Sequence, residues 1–201
     1  MLQFRFIISL LTGILFFSCN EKKIVHTYES DFEKELNAFF KDVTTSPLKP
    51  DDFKSFQSLP FFPLDSNFMF LATLKKTPKN EFFDMKTNTN RFSKERIFGI
   101  LTFQIRGYEY RLKIYQSKTS LSNKEKSLFL PFLDKTNGFE SYIGGRYLDL
   151  KIPNSDTIMI DFNEAYNPYC AYNENFSCPI VPRENFLPIK IRAGVMYDEK
   201  Y

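Results

Sequence analysis

Two aspartates, Asp149 and Asp161, are the residues of this 201-residue sequence best placed to form a catalytic or binding pair. They lie in the segments RYLDLKI and TIMIDFN, where apolar and polar residues alternate as in half-buried strands. Packing both apolar sets on one face fixes the register of the two strands, because a slip by one residue would bury polar groups. That register predicts Asp149 directly opposite Asp161, and Tyr147 opposite Asn163.

A carboxylate pair of this kind has a defined chemistry. Two carboxylates at cross-strand distance repel each other unless a proton, a cationic side chain or a metal ion lies between them. The pair could therefore raise the pKa of one carboxyl group or bind a cation. Alternatively, the face is simply wet, or Arg146 or Lys151 neutralises it. Gly144 and Gly145 could also let backbone amides approach an anion held by Arg146, or could form a bulge.

The segment DFNEAYNPYCAYNENFSCPIVP, residues 161–182, concentrates aromatic, amide and thiol groups. Cysteine as a nucleophile needs a base, and the only histidine, His26, lies near the N-terminus. Two thiols and one remote imidazole also fall short of a tetrahedral zinc site, so we expect no metal and no cofactor. A disulfide between Cys170 and Cys178 is the favoured interpretation. Free packed thiols and a reactive Cys170 are the alternatives.

The N-terminus has the layout of a secretory signal peptide. Arg5 precedes an apolar run over residues 6–17, and Ser18 stands directly before Cys19, as in the lipobox of bacterial lipoproteins. The pattern predicts a signal peptide over residues 1–18, a membrane lipid on Cys19 and a tether over residues 19–29. We therefore expect a bacterial cell-envelope protein, exported to a compartment that permits disulfides. Glu21 is the only acidic residue directly after Cys19, which favours a periplasm-facing protein over surface display.

Composition favours one β-rich domain over residues 30–201. The chain has 24 phenylalanines and 11 tyrosines, and large aromatic side chains suit pleated, half-buried surfaces. The formal net charge is +3, and removing residues 1–18, which hold Arg5 and no acidic residue, leaves +2. A balance so close to neutral argues against a nucleic-acid partner.

The predicted elements give a mainly β fold with a minor helical part. Ser30 and Glu33 form a capping box that begins an amphipathic helix over residues 31–42. Arg106-Gly107 predicts a two-residue hairpin turn with Ile105 facing Tyr108. Further strands are predicted in NFMFLATLKK, FFDMKT, SLFLPFLD, RYLDLKI, TIMIDFN and LPIKIRAGVMY. We expect a curved antiparallel sheet, closed into a barrel or sandwich, with the N-terminal helix packed on it.

Several motifs together resemble a known family. They are FLPF, TNG, GGRYLDL, DFNEAYNPYCAY and CPIVPRENFLPIKIRAG, with SPL and FFPLD upstream. On these motifs the chain is similar, over roughly residues 30–197, to the domain of unknown function 1684 family, which includes many bacterial lipoproteins. The family has no established activity, so the resemblance implies identity rather than mechanism. The motif positions that it implies are Arg146, Tyr147, Asp149, Asp161, Asn163, Asn167, Pro168, Cys170, Cys178 and Pro179.

Three functions compete at this point. The first is a lipid-anchored binding module for a small polar or sugar-like ligand. The second is an envelope hydrolase that uses the carboxylate pair, and the third is a structural assembly lipoprotein. A closed cavity at the aspartates would favour the first two, and a filled interior the third. The predicted ligand-binding residues are Arg146, Tyr147, Asp149, Asp161, Asn163, Tyr166, Asn167 and Tyr169.

Overall fold

The computed structural model describes residues 29–77, 80–122 and 127–198. The predicted signal peptide, the lipidation site Cys19 and most of the tether lie outside these described residues. Within them, no helix is long and apolar enough to cross a membrane.

Three short helices accompany the sheet: α1 Asp31–Lys41, α2 Pro50–Ser55 and α3 Lys118–Ser122. The backbone N–H of Glu33 donates to Ser30 Oγ at 3.1 Å, and the Ser30 N–H donates to the Glu33 carboxylate at 3.0 Å. The predicted capping box and helix start are thereby confirmed. Phe40 on the buried face of α1 packs edge-on against Tyr172, with ring centroids 4.9 Å apart. This contact joins α1 to the loop that carries the cysteines.

Eight strands form a mainly antiparallel sheet that curls into a half-barrel, as the composition predicts. The strand order is β6-β5-β4-β3-β1-β7, with β2 paired to β3 and β8 lying parallel to β5. The strands are β1 Met69–Lys76, β2 Phe83–Lys86, β3 Phe92–Ile105, β4 Tyr108–Ser117, β5 Ser127–Asp134, β6 Arg146–Lys151, β7 Thr157–Asp161 and β8 Phe186–Leu187.

The β3–β4 hairpin has the predicted turn and register. Ile105 pairs with Tyr108, and the turn residues Arg106 and Gly107 have φ values of 51° and 81°. Positive φ at both central positions matches a two-residue hairpin turn whose twist follows that of the strands. The turn therefore extends β3 and β4 to one end of the half-barrel.

The predicted pairing of β6 with β7 is wrong. Asp149 on β6 lies opposite Phe129 of β5, and Asp161 on β7 lies opposite Met69 of β1. The two strands stand at opposite ends of the strand order. Both strands bury one apolar face, so each satisfies the alternation rule with a different neighbour from the one predicted.

The predicted strand in LPIKIRAGVMY, residues 187–197, is also wrong, because the short strand β8 ends at the first of these residues, Leu187. The rest of the segment supplies carbonyl groups to other parts of the fold. The Ile189 carbonyl accepts from the Lys135 N–H at 2.9 Å, and two further carbonyls accept from a buried arginine. Beyond Leu187 the segment runs as extended chain, and its pairing among the described residues is limited to an isolated antiparallel bridge between Val195 and Phe61.

The interior of the half-barrel is filled by side chains. Phe162 is fully buried and its ring lies edge-on to Phe132, with centroids 4.9 Å apart. Apolar side chains from seven strands complete this core. Its fully buried strand residues include Ala72, Leu74, Leu101, Leu112, Ile114, Leu128, Leu130, Leu148 and Ile160.

Candidate functional site

Arg146, predicted to hold a ligand, is instead part of the interior. Its side chain is completely buried, and Nη2 donates to Asp134 Oδ2 at 2.8 Å and to the Ile191 carbonyl at 2.6 Å. Nη1 donates to the Ala193 carbonyl. Nε has no hydrogen-bond partner in the described part of the chain, but the whole guanidinium is closed off from solvent, so it presents no accessible edge to an anion. Arg146 therefore ties β5 and the 191–193 segment to β6.

Gly145 serves close packing rather than anion binding. Its φ is 90°, and a Cβ built there would lie 2.7 Å from the Phe132 carbonyl oxygen and 2.7 Å from the Val181 side chain. Only glycine tolerates both that backbone conformation and that approach. The Gly-Gly-Arg motif is thus explained by the start of β6.

Asp161 and Asn163 form a local lock. Asp161 Oδ1 accepts from the Asn163 backbone N–H at 2.9 Å and from its side-chain amide at 2.7 Å. Asn163 also bonds both backbone groups of Asp65 at 3.0 Å. Asp161, Asn163, Asp65 and Glu164 line part of a groove of ≈ 500 Å³. Asp161 therefore fixes the end of β7 and is not half of a carboxylate pair with Asp149.

Tyr147 lies beside Tyr166, and not opposite Asn163 as predicted. Their backbone N–H and carbonyl groups bond reciprocally at 2.9 and 3.0 Å. The Tyr147 hydroxyl donates to the Pro179 carbonyl, and the Tyr166 hydroxyl donates to Asp149 Oδ2 at 2.6 Å. Burial, and then the charge of Asp149, raise the pKa of Tyr166 well above its usual value. The fold therefore brings two of the predicted site residues together, with Tyr166 as a neutral hydroxyl donor and Asp149 as the accepting carboxylate.

Asn167 and Tyr169 brace the loop from inside. The Asn167 side-chain amide donates to the Met196 carbonyl at 2.9 Å and to the Tyr172 hydroxyl at 3.1 Å. Tyr169 stacks on Phe39 of α1, with ring centroids 5.8 Å apart. These contacts satisfy or bury the groups that the sequence assigned to a ligand. The eight predicted residues therefore do not line one common site.

Cys170 and Cys178 lie in contact. The Cys170 N–H donates to Cys178 Sγ at 3.2 Å, and both residues are free thiols in the structure. The candidate disulfide stays a prediction. In the described ranges, no group of three or more histidine, cysteine, aspartate or glutamate side chains is arranged to hold a metal ion.

A larger cavity, of ≈ 720 Å³, opens at the end of the half-barrel beside the β3–β4 turn. We call it the end cavity. Its lining includes the buried Phe68 and Ile105, the half-buried Tyr110, and Tyr108, which is 71% exposed. Its other lining residues are Asp65, Arg106, Lys135, Pro188, Ile189, Lys190 and Arg192. Four segments far apart in sequence thus meet around one opening.

The end cavity carries an excess of positive charge. Lys190 and Arg192 share Glu140, which Arg192 Nε reaches at 2.6 Å. Hydrogen bonds from these two cations lower the Glu140 pKa to about 2. Within the described part of the chain, the side chains of Arg106 and Lys135 make no ion pair or hydrogen bond. Two cations at the cavity are therefore available to a ligand.

Sequence reasoning missed the end cavity. The sequence pattern places Arg106 in a turn and Lys190 and Arg192 in a strand, and it predicts no binding role for any of them. The sequence does hold a signal of a charged surface. An arginine occupies the hairpin turn near Tyr108, and Lys190 and Arg192 are two residues apart, so both would lie on the same side of an extended chain. Nothing in the sequence, however, indicates that the turn and the 188–192 segment meet.

Comparison with known proteins gives a family and a fold. The family described as "Protein of unknown function (DUF1684)" matches residues 54–196, within the span expected from the motifs. The chain is also similar to an uncharacterised protein of Haloarcula marismortui, solved by solution NMR. The identity is 32%, the TM-score is 0.67, and the match covers 84% of this chain and 92% of that chain. No functionally curated protein matches the chain.

Proposed function

The chain belongs to the DUF1684 family of proteins of unknown function. From its lipobox sequence and from the geometry of the end cavity, we propose that it is a lipid-anchored cell-envelope binding protein. Its ligand is a small anion with an apolar or aromatic body, and the binding site is the end cavity. This site replaces the predicted face of Arg146, Asp149 and Asp161, because Arg146 is buried and the aspartates lie on strands that do not pair.

One observation carries the proposal: Arg106 and Lys135 line the cavity without side-chain partners in the described residues. A guanidinium presents paired N–H donors that match a carboxylate or phosphate, and a lysine adds a point charge. Asp65, the one carboxylate in the lining, already accepts from the Asn67 backbone N–H at 2.9 Å and from its side-chain amide at 2.7 Å. The net field in the cavity therefore favours an anion.

The apolar lining supports the second part of the ligand's description. The lining includes the aromatic side chains of Tyr108 and Tyr110 and the apolar side chains of Phe68, Ile105 and Ile189. Aromatic side chains next to a few charged groups are typical of small-molecule sites, and a volume near 700 Å³ is in their usual range. A sugar-like ligand fits this site if it carries a carboxylate or phosphate.

The experiment compares three probes that share a naphthalene ring and carry an anionic, a neutral or a cationic group: 1-naphthyl phosphate, 1-naphthol and 1-naphthylmethylammonium. Each is titrated into isotope-labelled protein, and backbone amide shifts locate the bound probe. We expect saturable binding of the phosphate, with the largest shifts at residues 105–110 and 188–192, and much weaker binding of the other two. Equal affinity for naphthol, or shifts confined to another surface, contradicts the proposal.

Membrane anchoring is tested separately. The lipobox before Cys19 supports it, and a diacyl anchor holds a protein stably on a membrane. Cells that express the protein are labelled with a radioactive or clickable palmitate, and their membranes are sedimented. We expect label and sedimentation in the wild type and in Cys178→Ser, and loss of both in Cys19→Ser. Full labelling of Cys19→Ser would refute anchoring at this residue, whatever the ligand result.

A further inference from the structure

We call residues 165–182 the motif loop. Its two cysteines lie close together, and the sulfur of Cys178 faces the backbone of Cys170. Cys178 Sγ accepts the backbone N–H of Cys170 at 3.2 Å, and each cysteine side chain shifts the pKa of the other. Cys178 is 8% exposed and Cys170 is half-buried. The pair is thus close enough to interact and open on one side.

The surroundings of Cys178 favour its thiolate. Its sulfur faces the start of the short helical turn Tyr169–Ala171, where the Cys170 N–H donates to it. The Cys170 thiol, and after it the backbone N–H groups of Cys170 and Tyr169, lower the pKa of Cys178 to about 7, although partial burial opposes this shift. The neighbouring Cys170 thiol has a raised pKa, because it donates to Cys178 and is partly buried. One member of the pair is therefore set up as nucleophile and the other as proton holder.

The two cysteines lie in one apolar cluster, but each also contacts a different neighbouring segment. Cys170 lies in the turn whose Tyr169 stacks on Phe39 of α1. Cys178 is fixed to Asn88, which follows β2: its N–H donates to Asn88 Oδ1 at 2.7 Å, and its carbonyl accepts from the Asn88 N–H at 3.0 Å. A bond between the sulfurs would therefore link the α1 side of the molecule to the β2 edge.

We propose that Cys170 and Cys178 form a reversible dithiol–disulfide site that exchanges with thiol–disulfide compounds, and that oxidation locks the motif loop between α1 and the β2 edge. This site is independent of the end cavity. It assigns a chemical role to the two cysteines, which the binding function does not use.

The exchange balances with a disulfide as oxidant. The Cys178 thiolate attacks one sulfur of the oxidant, whose S–S bond breaks and releases one thiolate. The Cys170 thiol then loses its proton and attacks the Cys178 sulfur, which forms the Cys170–Cys178 bond and releases the second thiolate. The two cysteines lose two electrons and two protons in total, and the oxidant becomes two thiols.

The test uses the full chain, equilibrated in buffers with a graded ratio of oxidised to reduced glutathione. After quenching by alkylation, peptide mass spectrometry reports the state of residues 170 and 178 separately from Cys19. We expect one transition, from two alkylated thiols to a single internal bond that lacks two hydrogen masses. Returning the oxidised native protein to reduced glutathione should reverse it.

Single cysteine variants serve as controls, while the behaviour of the wild type decides the proposal. Cys170→Ser and Cys178→Ser should each lose the internal bond and the rise in thermal midpoint that oxidation gives the wild type. Two outcomes in the wild type overturn the proposal. One is alkylation of both cysteines, or separate glutathione adducts on them, even at the highest oxidised fraction. The other is an internal bond that native protein keeps in excess reduced glutathione, which would make it a permanent structural disulfide.

Discussion

The guanidinium of Arg146 donates to the carboxylate of Asp134 at 2.8 Å, and both side chains are completely buried. Asp134 also accepts the backbone N–H groups of Thr136 at 2.7 Å and Ile191 at 3.2 Å. The ion pair therefore holds together the end of β5, the start of β6 and the chain that crosses the end of the half-barrel. Arg146, a family motif residue, thus stabilises the fold and helps to position the chain segment that lines the end cavity.

Replacing Arg146 with methionine should destabilise the protein strongly. The substitution leaves Asp134 buried without its cation, and breaking a buried pair in this way costs about 3–5 kcal/mol. The free energy of unfolding in urea measures the loss. Arg111→Gln is the matched control, because it breaks the exposed pair with Glu109 and should cost at most about 1 kcal/mol. An Arg146→Met protein as stable as this control would contradict the structural role.

Replacing Arg106 with asparagine should leave the hairpin intact or slightly more stable. Arg106 has a φ of 51°, a conformation that asparagine adopts more easily than arginine, and the gain is up to about 1 kcal/mol. Denaturant unfolding measures the change. Asn followed by Gly107 is also a favoured turn pair. A destabilised Arg106→Asn protein would mean that the arginine side chain makes stabilising contacts in the fold.

Replacing Glu140 with glutamine should alter stability in a defined pH window. Lys190 and Arg192 lower the Glu140 pKa to about 2 in the folded state, while an unfolded glutamate titrates near roughly 4.3. The charged form thus stabilises the fold above about pH 4.3, and this contribution is lost as the pH falls toward 2. Wild type should therefore exceed Glu140→Gln in thermal midpoint at pH 7, with the difference vanishing near pH 2. A difference that does not depend on pH would contradict the assignment.

The same Glu140→Gln change should strengthen anion binding. It removes the carboxylate that Lys190 and Arg192 share, and frees both cations toward the end cavity. The expected gain in affinity for 1-naphthyl phosphate is about two- to fivefold, equivalent to about 0.5–1 kcal/mol. Calorimetric titration in low salt measures it. Glu109→Gln, which changes an exposed carboxylate outside the cavity lining, should leave the affinity unchanged. Weaker binding by Glu140→Gln would contradict the charge assignment of the cavity.

Local features of the fold were predictable from sequence. The capping box of Ser30 and Glu33 and the Arg106-Gly107 turn each depend on residues within a few positions of one another. Alternation also marked the two strands that contain Asp149 and Asp161. It could not name their partners, because an apolar face satisfies any neighbour that covers it. Because β6 and β7 do not pair, Asp149 and Asp161 do not lie opposite each other as predicted.

The roles of the charged residues depended on contacts between distant segments. The acceptors of Arg146 lie at residue 134 and, far along the chain, at residues 191 and 193. An arginine in an alternating strand therefore looked like a surface ligand, whereas the fold buries it. The end cavity likewise joins a hairpin turn to a segment about 80 residues later, which is beyond the reach of local pattern. The family could be predicted from sequence because the resemblance depends on short contiguous motifs and not on contacts between distant segments.

The affinity of Arg106→Asn for 1-naphthyl phosphate tests the central claim most directly, since this variant removes a cavity cation while keeping the turn. We expect its dissociation constant to rise at least about tenfold over wild type, as loss of charge-assisted hydrogen bonds implies. Arg111→Gln, on the other face of the same hairpin, should bind as wild type does. Equal affinity in wild type and Arg106→Asn, with the folded state intact, would contradict anion binding in the end cavity.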